Sequence, residues 1–278
     1  MRVPFIWLAA FSIACPVSAS NAEEVVFPDL GEPVPGHDGV TYLDLARMVV
    51  PDLAPDEVGG HSGSAPVPMR HVSGTDAGDP PQRSAIPFVG ALQVRSGGKA
   101  RLLLMLDLNA AEGQAEGYAA LALYDLTGGP KLLDVANVAA DRETYFRNPA
   151  VVAAGTADDA VATMSMHANS SQAYVTTELI LVRHDRLEPI DTIYTFGDQG
   201  CGWRHDQEPV FETGPGSPFA DIVARVEDTM ALTGETCGEA PPRPSSRVFT
   251  VTYRWDGSRY RADSDAFARL AEENEKRF

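Results

Sequence analysis

The alternation of apolar and polar positions is cleanest near the C-terminal end. Phe249, Val251, Tyr253 and Trp255 point one way, while Val248, Thr250, Thr252 and Arg254 point the other. A period of two over Arg247–Trp255 predicts a strand. Asp256-Gly257 then turns the chain and Tyr260 returns. Phe88–Arg95 and Ala100–Leu108 flank Ser96-Gly97-Gly98 and predict a hairpin. Tyr118–Leu126, ending at Thr127-Gly128-Gly129-Pro130, and Leu132–Val138 add two further strands. Ala160–His167, Tyr174–Arg183 and Leu187–Phe196 read as a three-strand meander. Its turns are Ala168-Asn169-Ser170-Ser171 and His184-Asp185. Asp198–Pro218 reads as irregular, and Ala220–Met230 fits either a helix or a strand.

Helical spacing appears at two places. Leu43, Ala46 and Val50 recur within Thr41–Val50, and Pro51 stops the run, which predicts one short helix. Phe267, Leu270, Ala271, Asn274 and Phe278 fall near one face of a closing helix that Asp263 or Ser264 can cap. Residues 54–83 read as a long surface loop punctuated by prolines and glycines. The expected fold is mainly β (α+β): an antiparallel sandwich or barrel-like domain with a short N-terminal helix and a C-terminal helix. Its division is 1–22, 23–84 (a Pro/Gly-rich segment) and 85–278, the β-rich domain.

The first 22 residues have a different pattern. Arg2 precedes an apolar stretch from Val3 to Ala14, followed by small-residue sites ending at Ala19 and Ala22. That order is the pattern of a secretory signal peptide, and the stretch is too short to span a bilayer. The expectation is a periplasmic or secreted protein cleaved near Ala19 or Ala22. Cys15 follows Ser12-Ile13-Ala14 in superficial likeness to a lipoprotein signal. Ser12 stands where an apolar residue belongs and Pro16 follows the cysteine, so simple cleavage is favoured over a lipid anchor at Cys15.

Charge narrows the partners. The chain carries 39 acidic and 22 basic residues, a formal net charge of −17. That balance argues against nucleic acid and anionic membrane surfaces, which recruit basic patches. No later run is apolar enough to span a membrane.

Cysteine usage and polar clusters supply the candidate chemistry. Beyond the signal, Cys201 and Cys237 form an even pair, expected to be a disulfide in an oxidising compartment. The loop between them holds 35 residues, and closing it is worth at most about 4 kcal/mol in the chain-entropy model. Cys201, His205 and Cys237 fall one ligand short of a structural zinc site, and no metal or cofactor is expected. Gly60-His61-Ser62-Gly63-Ser64 narrowly misses the nucleophile elbow of α/β-hydrolases, and it lies in a loop rather than between a strand and a helix. Asp107, Asn109, Glu112, Gln114 and Glu116 offer oxygen ligands without the spacing of a calcium loop. His167-Ala-Asn169-Ser170-Ser171-Gln172, with Tyr174 after it, gathers imidazole, amide and hydroxyl groups at one turn. Trp203-Arg204-His205-Asp206 after Cys201 gathers an aromatic ring, a guanidinium, an imidazole and a carboxylate. In both turns a structural role competes: Asn and Ser are good turn residues, and Trp203 suits packing over a disulfide.

The closing strings Thr252-Tyr-Arg-Trp-Asp-Gly, Asp263-Ser-Asp-Ala and Arg269-Leu-Ala-Glu-Glu-Asn, with Arg277-Phe278, resemble the C-terminus of a family of uncharacterised exported proteobacterial proteins. His167-Ala-Asn-Ser-Ser-Gln and Asp191-Thr-Ile-Tyr-Thr-Phe are similar to the same family, over roughly 85–278. The resemblance implies export and no particular activity. The sequence favours a non-enzymatic binding or interaction domain for an envelope protein or small ligand. The site residues are His167, Asn169, Ser170, Tyr174, Trp203, Arg204 and His205. The alternatives are a secreted hydrolase with a dispersed site and a structural envelope component.

Overall fold

The structure is a computed structural model that describes residues 24–57, 59–74, 80–86, 89–110, 117–234, 238 and 240–277. The expected signal peptide, Cys15, Phe88, Glu112, Gln114, Glu116, Cys237 and Phe278 lie outside the described residues.

Thr41 begins the first helix, α1 (Tyr42–Val49), through a capping box. Its hydroxyl accepts from the Asp44 amide, and Asp44 accepts from the Thr41 amide. The buried residues of α1 are Tyr42, Leu45, Ala46 and Val49. Of the predicted stripe, Ala46 and Val50 are fully buried, Val50 just past the helix end, while Leu43 is half-buried against the same core. The expected long loop is broken by β1 (Ala54–Pro55), β2 (His61–Gly63) and β3 (Arg70–His71). With β4 (Ser84–Ile86), β1 and β2 form a three-stranded sheet. Ser62 thus lies on a strand, where its hydroxyl accepts from Arg83.

A five-stranded sheet has the order β3-β8-β7-β6-β5. It contains β5 (Val89–Ser96), β6 (Lys99–Ala110), β7 (Gly117–Asp125) and β8 (Lys131–Asn137). Gly97 and Gly98, at φ 59° and 73°, form the β5–β6 hairpin turn, which needs a left-handed backbone at both positions. One face of this sheet packs on α1 through Leu102, Leu104, Leu106 and Tyr124. The Tyr124 hydroxyl donates to the Leu45 carbonyl.

The remaining strands form one antiparallel sheet in sequence order from β9 to β16. They are β9 (Glu143–Ala153), β10 (Asp159–Ala168), β11 (Gln172–Arg183), β12 (Arg186–Gly200), β13 (Trp203–Thr213), β14 (Ile222–Leu232), β15 (Ser245–Trp255) and β16 (Tyr260–Ala262). Phe146, Val161, Ile180 and Val182 pack on Leu103, Met105, Leu121 and Leu123 of the five-stranded sheet, giving the sandwich core. The eight-stranded sheet also curls around a second core, in which Ala160, Leu179 and Ile193 meet Ile222, Val226, Val251 and Tyr253. Hydrogen bonds from Thr213 to Ala153 and from Ala220 to Ala154 join its far strands, without a closed barrel.

Asp198–Pro218 is not irregular, because β13 occupies most of it. The inward positions of β13 begin with His205 and Gln207 and turn apolar only at Pro209 and Phe211, so its first half shows no apolar alternation. The closing helix, α2 (Ala266–Glu275), starts at Asp265, whose side chain makes no capping bond. Asp263 instead accepts from the Thr252 amide, tying the chain to β15. Phe267 and Leu270 of α2 seal the second core. No helix among the described residues is long and apolar enough to cross a membrane.

Candidate functional site

The β10–β11 and β12–β13 turns, adjacent in the sheet order, come together at one end of the curled sheet. Asn169 organises the first. Its Oδ1 accepts from the Ser171 and Gln172 amides at 2.9 Å each, and its own amide donates to the Gln172 carbonyl. That side chain imitates a backbone turn, so Asn169 has the structural role weighed against a binding role. The Gln199 amide donates to the Ser171 carbonyl at 2.8 Å, and the Gln199 side chain donates to the Ser170 carbonyl. The two turns are thereby zipped together.

Between them lies a shallow cleft of about 250 Å³. Asn169, Ser171 and Gln172 line one side, and Gln199, Arg204 and Asp206 the other, with Asp198 and His205 also in its lining. Arg204 and Asp206 form an exposed ion pair at 2.6 Å. Trp203 lies flat against Gly200, where an added Cβ would meet the indole Nε1 at 2.6 Å. Ser170 is exposed on the first turn and contributes its carbonyl.

His205 is only 1 % exposed and faces two carboxylates. Nδ1 lies 2.8 Å from Asp198 Oδ1, and Nε2 lies 2.8 Å from Asp228 Oδ1. Each ring nitrogen faces a carboxylate, which only accepts, and Nδ1 also faces the Arg277 guanidinium at 2.8 Å; protonated, the ring donates to both carboxylates. Its pKa is raised, first by the Asp228 hydrogen bond, with burial and the Arg277 charge opposing. Burial pushes Asp228 upward, but hydrogen bonds from His205 and Arg247 outweigh it and the carboxyl titrates at about 2. A histidine with both nitrogens engaged has no lone pair with which to act as a general base. Gln207 extends the network by donating to Asp228 at 3.1 Å and to Asn274 of α2 at 3.0 Å.

His167 lies apart from the cleft lining, half-exposed on β10. Its Nδ1 is paired with Asp141, and its ring stacks on Tyr174 at 4.8 Å. Tyr174 in turn contacts Phe196 at 5.1 Å. Asp141 escaped the sequence reading because it belongs to the β8–β9 connection, 26 residues from His167 in the chain. Asp198, Asp228, Gln207, Asn274 and Arg277 were likewise not read as site residues, since they come from four separate elements.

Two other polar features differ from the cleft. Asp107 is buried and accepts from the Asn109 and Thr144 amides, so this carboxylate of the acidic stretch has a structural role. A cavity of about 330 Å³ under the N-terminal segment is lined largely by apolar groups such as Val26, Tyr42, Leu102 and Leu126. Its one buried cation, Arg101, is already paired with Asp125 and Asp185. No group of three or more His, Cys, Asp or Glu side chains among the described residues is arranged to hold a metal ion. Comparison with family models, curated proteins and solved structures found no match to this chain.

Proposed function

We propose that this chain is an exported binding domain that recognises a polar ligand at the cleft between the β10–β11 and β12–β13 turns. The observation that carries the reading is the convergence of the two turns on one cleft, locked by the Gln199–Ser171 and Gln199–Ser170 hydrogen bonds. Function on β-scaffolds is commonly presented on such loops. The charges in the lining cancel in pairs, Arg204 with Asp206 and His205 with Asp198. A neutral ligand rich in hydrogen-bonding groups therefore suits it better than a strongly charged one. Expected partners are an envelope protein presenting such a segment or a small polar ligand.

The test places a photo-crosslinking residue at Gln199 in the full chain, expressed in its exporting host. A discrete adduct that disappears in Arg204→Ala is expected. Adducts that are absent, or unchanged by Arg204→Ala, would overturn the cleft as a recognition site. Export and the Cys201–Cys237 disulfide belong to the same proposal. Mass spectrometry of the exported protein should find an N-terminus near residue 20 or 23 and no alkylatable thiol. An intact Met1, a lipidated Cys15 or two alkylated cysteines would count against it.

A hydrolase is the second reading, and His167 is the observation that favours it. With Nδ1 held by Asp141, Nε2 is left to take a proton in a half-exposed position. Turnover of p-nitrophenyl acetate by the wild-type chain that is lost in His167→Ala would move the function to that pair.

A further inference from the structure

At the floor of the proposed cleft the sheet is incomplete. β13 pairs with β14 over eleven residue pairs, from Trp203↔Leu232 to Thr213↔Ile222. It pairs with β12 over three, the last being Asp198↔His205. Beyond that pair the two strands part, and backbone groups that a ladder would satisfy must find other partners. Side chains supply them. The Phe196 amide donates to Gln207 Oε1 at 3.0 Å, and the same oxygen accepts from Asn274 Nδ2 at 2.8 Å. Asn274 Nδ2 also reaches the Tyr194 carbonyl at 3.5 Å. An amide on α2 thus stands in for part of the missing strand pairing.

The charges around the opening also depend on α2. His205, Arg247 and Arg277 are the cations, and Asp198, Asp228 and Glu273 the anions. Asp198 comes from β12, Asp228 from β14, Arg247 from β15, and Glu273 from α2, with Arg277 just beyond its end. Arg247 bridges Asp228 at 2.9 Å to Glu273 at 2.8 Å. Arg277 Nη1 lies 3.8 Å from Asp198 and 2.8 Å from His205 Nδ1, so the guanidinium sits against both members of that pair. Undocking α2 would withdraw Glu273 and the adjoining Arg277 from this network and expose the α2 side chains Phe267 and Leu270.

We infer that α2 is a latch on the cleft: docked, it closes the β12–β13 opening through Gln207 and Asn274 and holds Arg277 against Asp198 and His205, and released, it frees the cleft floor at Asp198. The inference rests on the cleft reading for its functional meaning, but its structural content is separate. A ligand that favours the closed floor would favour the docked helix by the same factor, since coupling is reciprocal. The His205 proton belongs to the latch because a neutral imidazole can donate to only one of its two carboxylates.

Hydrogen–deuterium exchange on the full mature chain tests this without any ligand. In His205→Gln, amides of 266–275 and of 196–200 are expected to exchange about tenfold faster or more, the scale set by losing a charged hydrogen bond. Amides of 102–106 and 119–123, in the other sheet, should keep their wild-type rates. Unchanged exchange at 266–275 overturns the latch, and so does uniform acceleration of every strand. If His205→Gln does not fold, Arg277→Gln, altered at the solvent side of the network, carries the same expectation and the same refutation. Failure of the Gln199 crosslink would remove the cleft and leave this exchange pattern standing.

Discussion

Buried ionisable residues are where one side chain affects this molecule most. Glu178 is 3 % exposed on β11, with one hydrogen bond from the Thr192 hydroxyl at 2.9 Å. Burial pushes its pKa up to about 7, the Thr192 bond partly opposes that, and the nearby Asp191 charge adds to it. The folded chain holds this proton more tightly than the unfolded chain does. The stability it contributes is therefore complete below the ordinary glutamate value of 4.5 and is lost as pH rises through about 7. Glu178→Gln imitates the neutral acid. It should leave stability at pH 4 nearly unchanged and raise it at pH 8 by on the order of 2–3 kcal/mol. Urea unfolding at the two pH values checks this, and equal effects at both would refute it. The His184-Asp185 turn shows the opposite economy. Both residues have φ above 50°, which non-glycine residues adopt at a cost. Arg101 bonding the Asp185 carboxylate at 2.8 Å and the Ser96 hydroxyl accepting from its amide help hold the turn.

Elements differ in how openly their sequences announce them. β15 is legible from its alternation, β5, β6 and β7 as near-continuous apolar runs because both of their faces are buried, and the turns between strands carry glycine, asparagine or a His-Asp pair. β9 escaped because Asn148-Pro149 interrupts it. A proline is tolerated there since β9 is an edge strand and its pairing to β10 slips register at that point. β13 escaped because its inward face is partly polar. The closing helix is legible as an apolar stripe, although its cap is Asp265 rather than the expected Asp263 or Ser264. Leu270 is the fully buried member of that stripe. Leu270→Ala should cost about 2–5 kcal/mol if α2 stays docked over the cavity left behind. A markedly smaller loss in chemical denaturation would mean that the helix detaches first, taking its core contact with it.

At the scale of the whole molecule, the pH dependence of stability combines opposing contributions. Asp228 is held at about 2, so the stability it supplies is present above the ordinary aspartate value of 3.8 and is lost as pH falls toward 2. His205 has a raised pKa, so its contribution is present below 6.5 and is lost as pH rises through the elevated value. Glu178 loses its contribution earlier, between 4.5 and about 7. Stability should therefore peak at about pH 4 to 5 and fall from there toward the alkaline side. Denaturant midpoints measured from pH 2 to 9 would show the peak, and a maximum above pH 8 would contradict it.

The pattern of residues by itself determined the strand-rich class, the two helices, most of the hairpins and one of the two turns that meet at the cleft, Ala168–Ser171. Those features depend on local periodicity and turn chemistry, which lie within a few residues of one another. Tertiary structure alone decided that the strands divide into a five-stranded and an eight-stranded sheet. It also decided that the larger sheet curls over a second core and that α2 closes its gap. His205 looked like an exposed recognition group in a pinned loop. The fold buries it between Asp198 and Asp228, carboxylates 7 and 23 residues away in the chain. No local pattern encodes such a pairing, because it depends on where separate strands and a helix come to rest against one another.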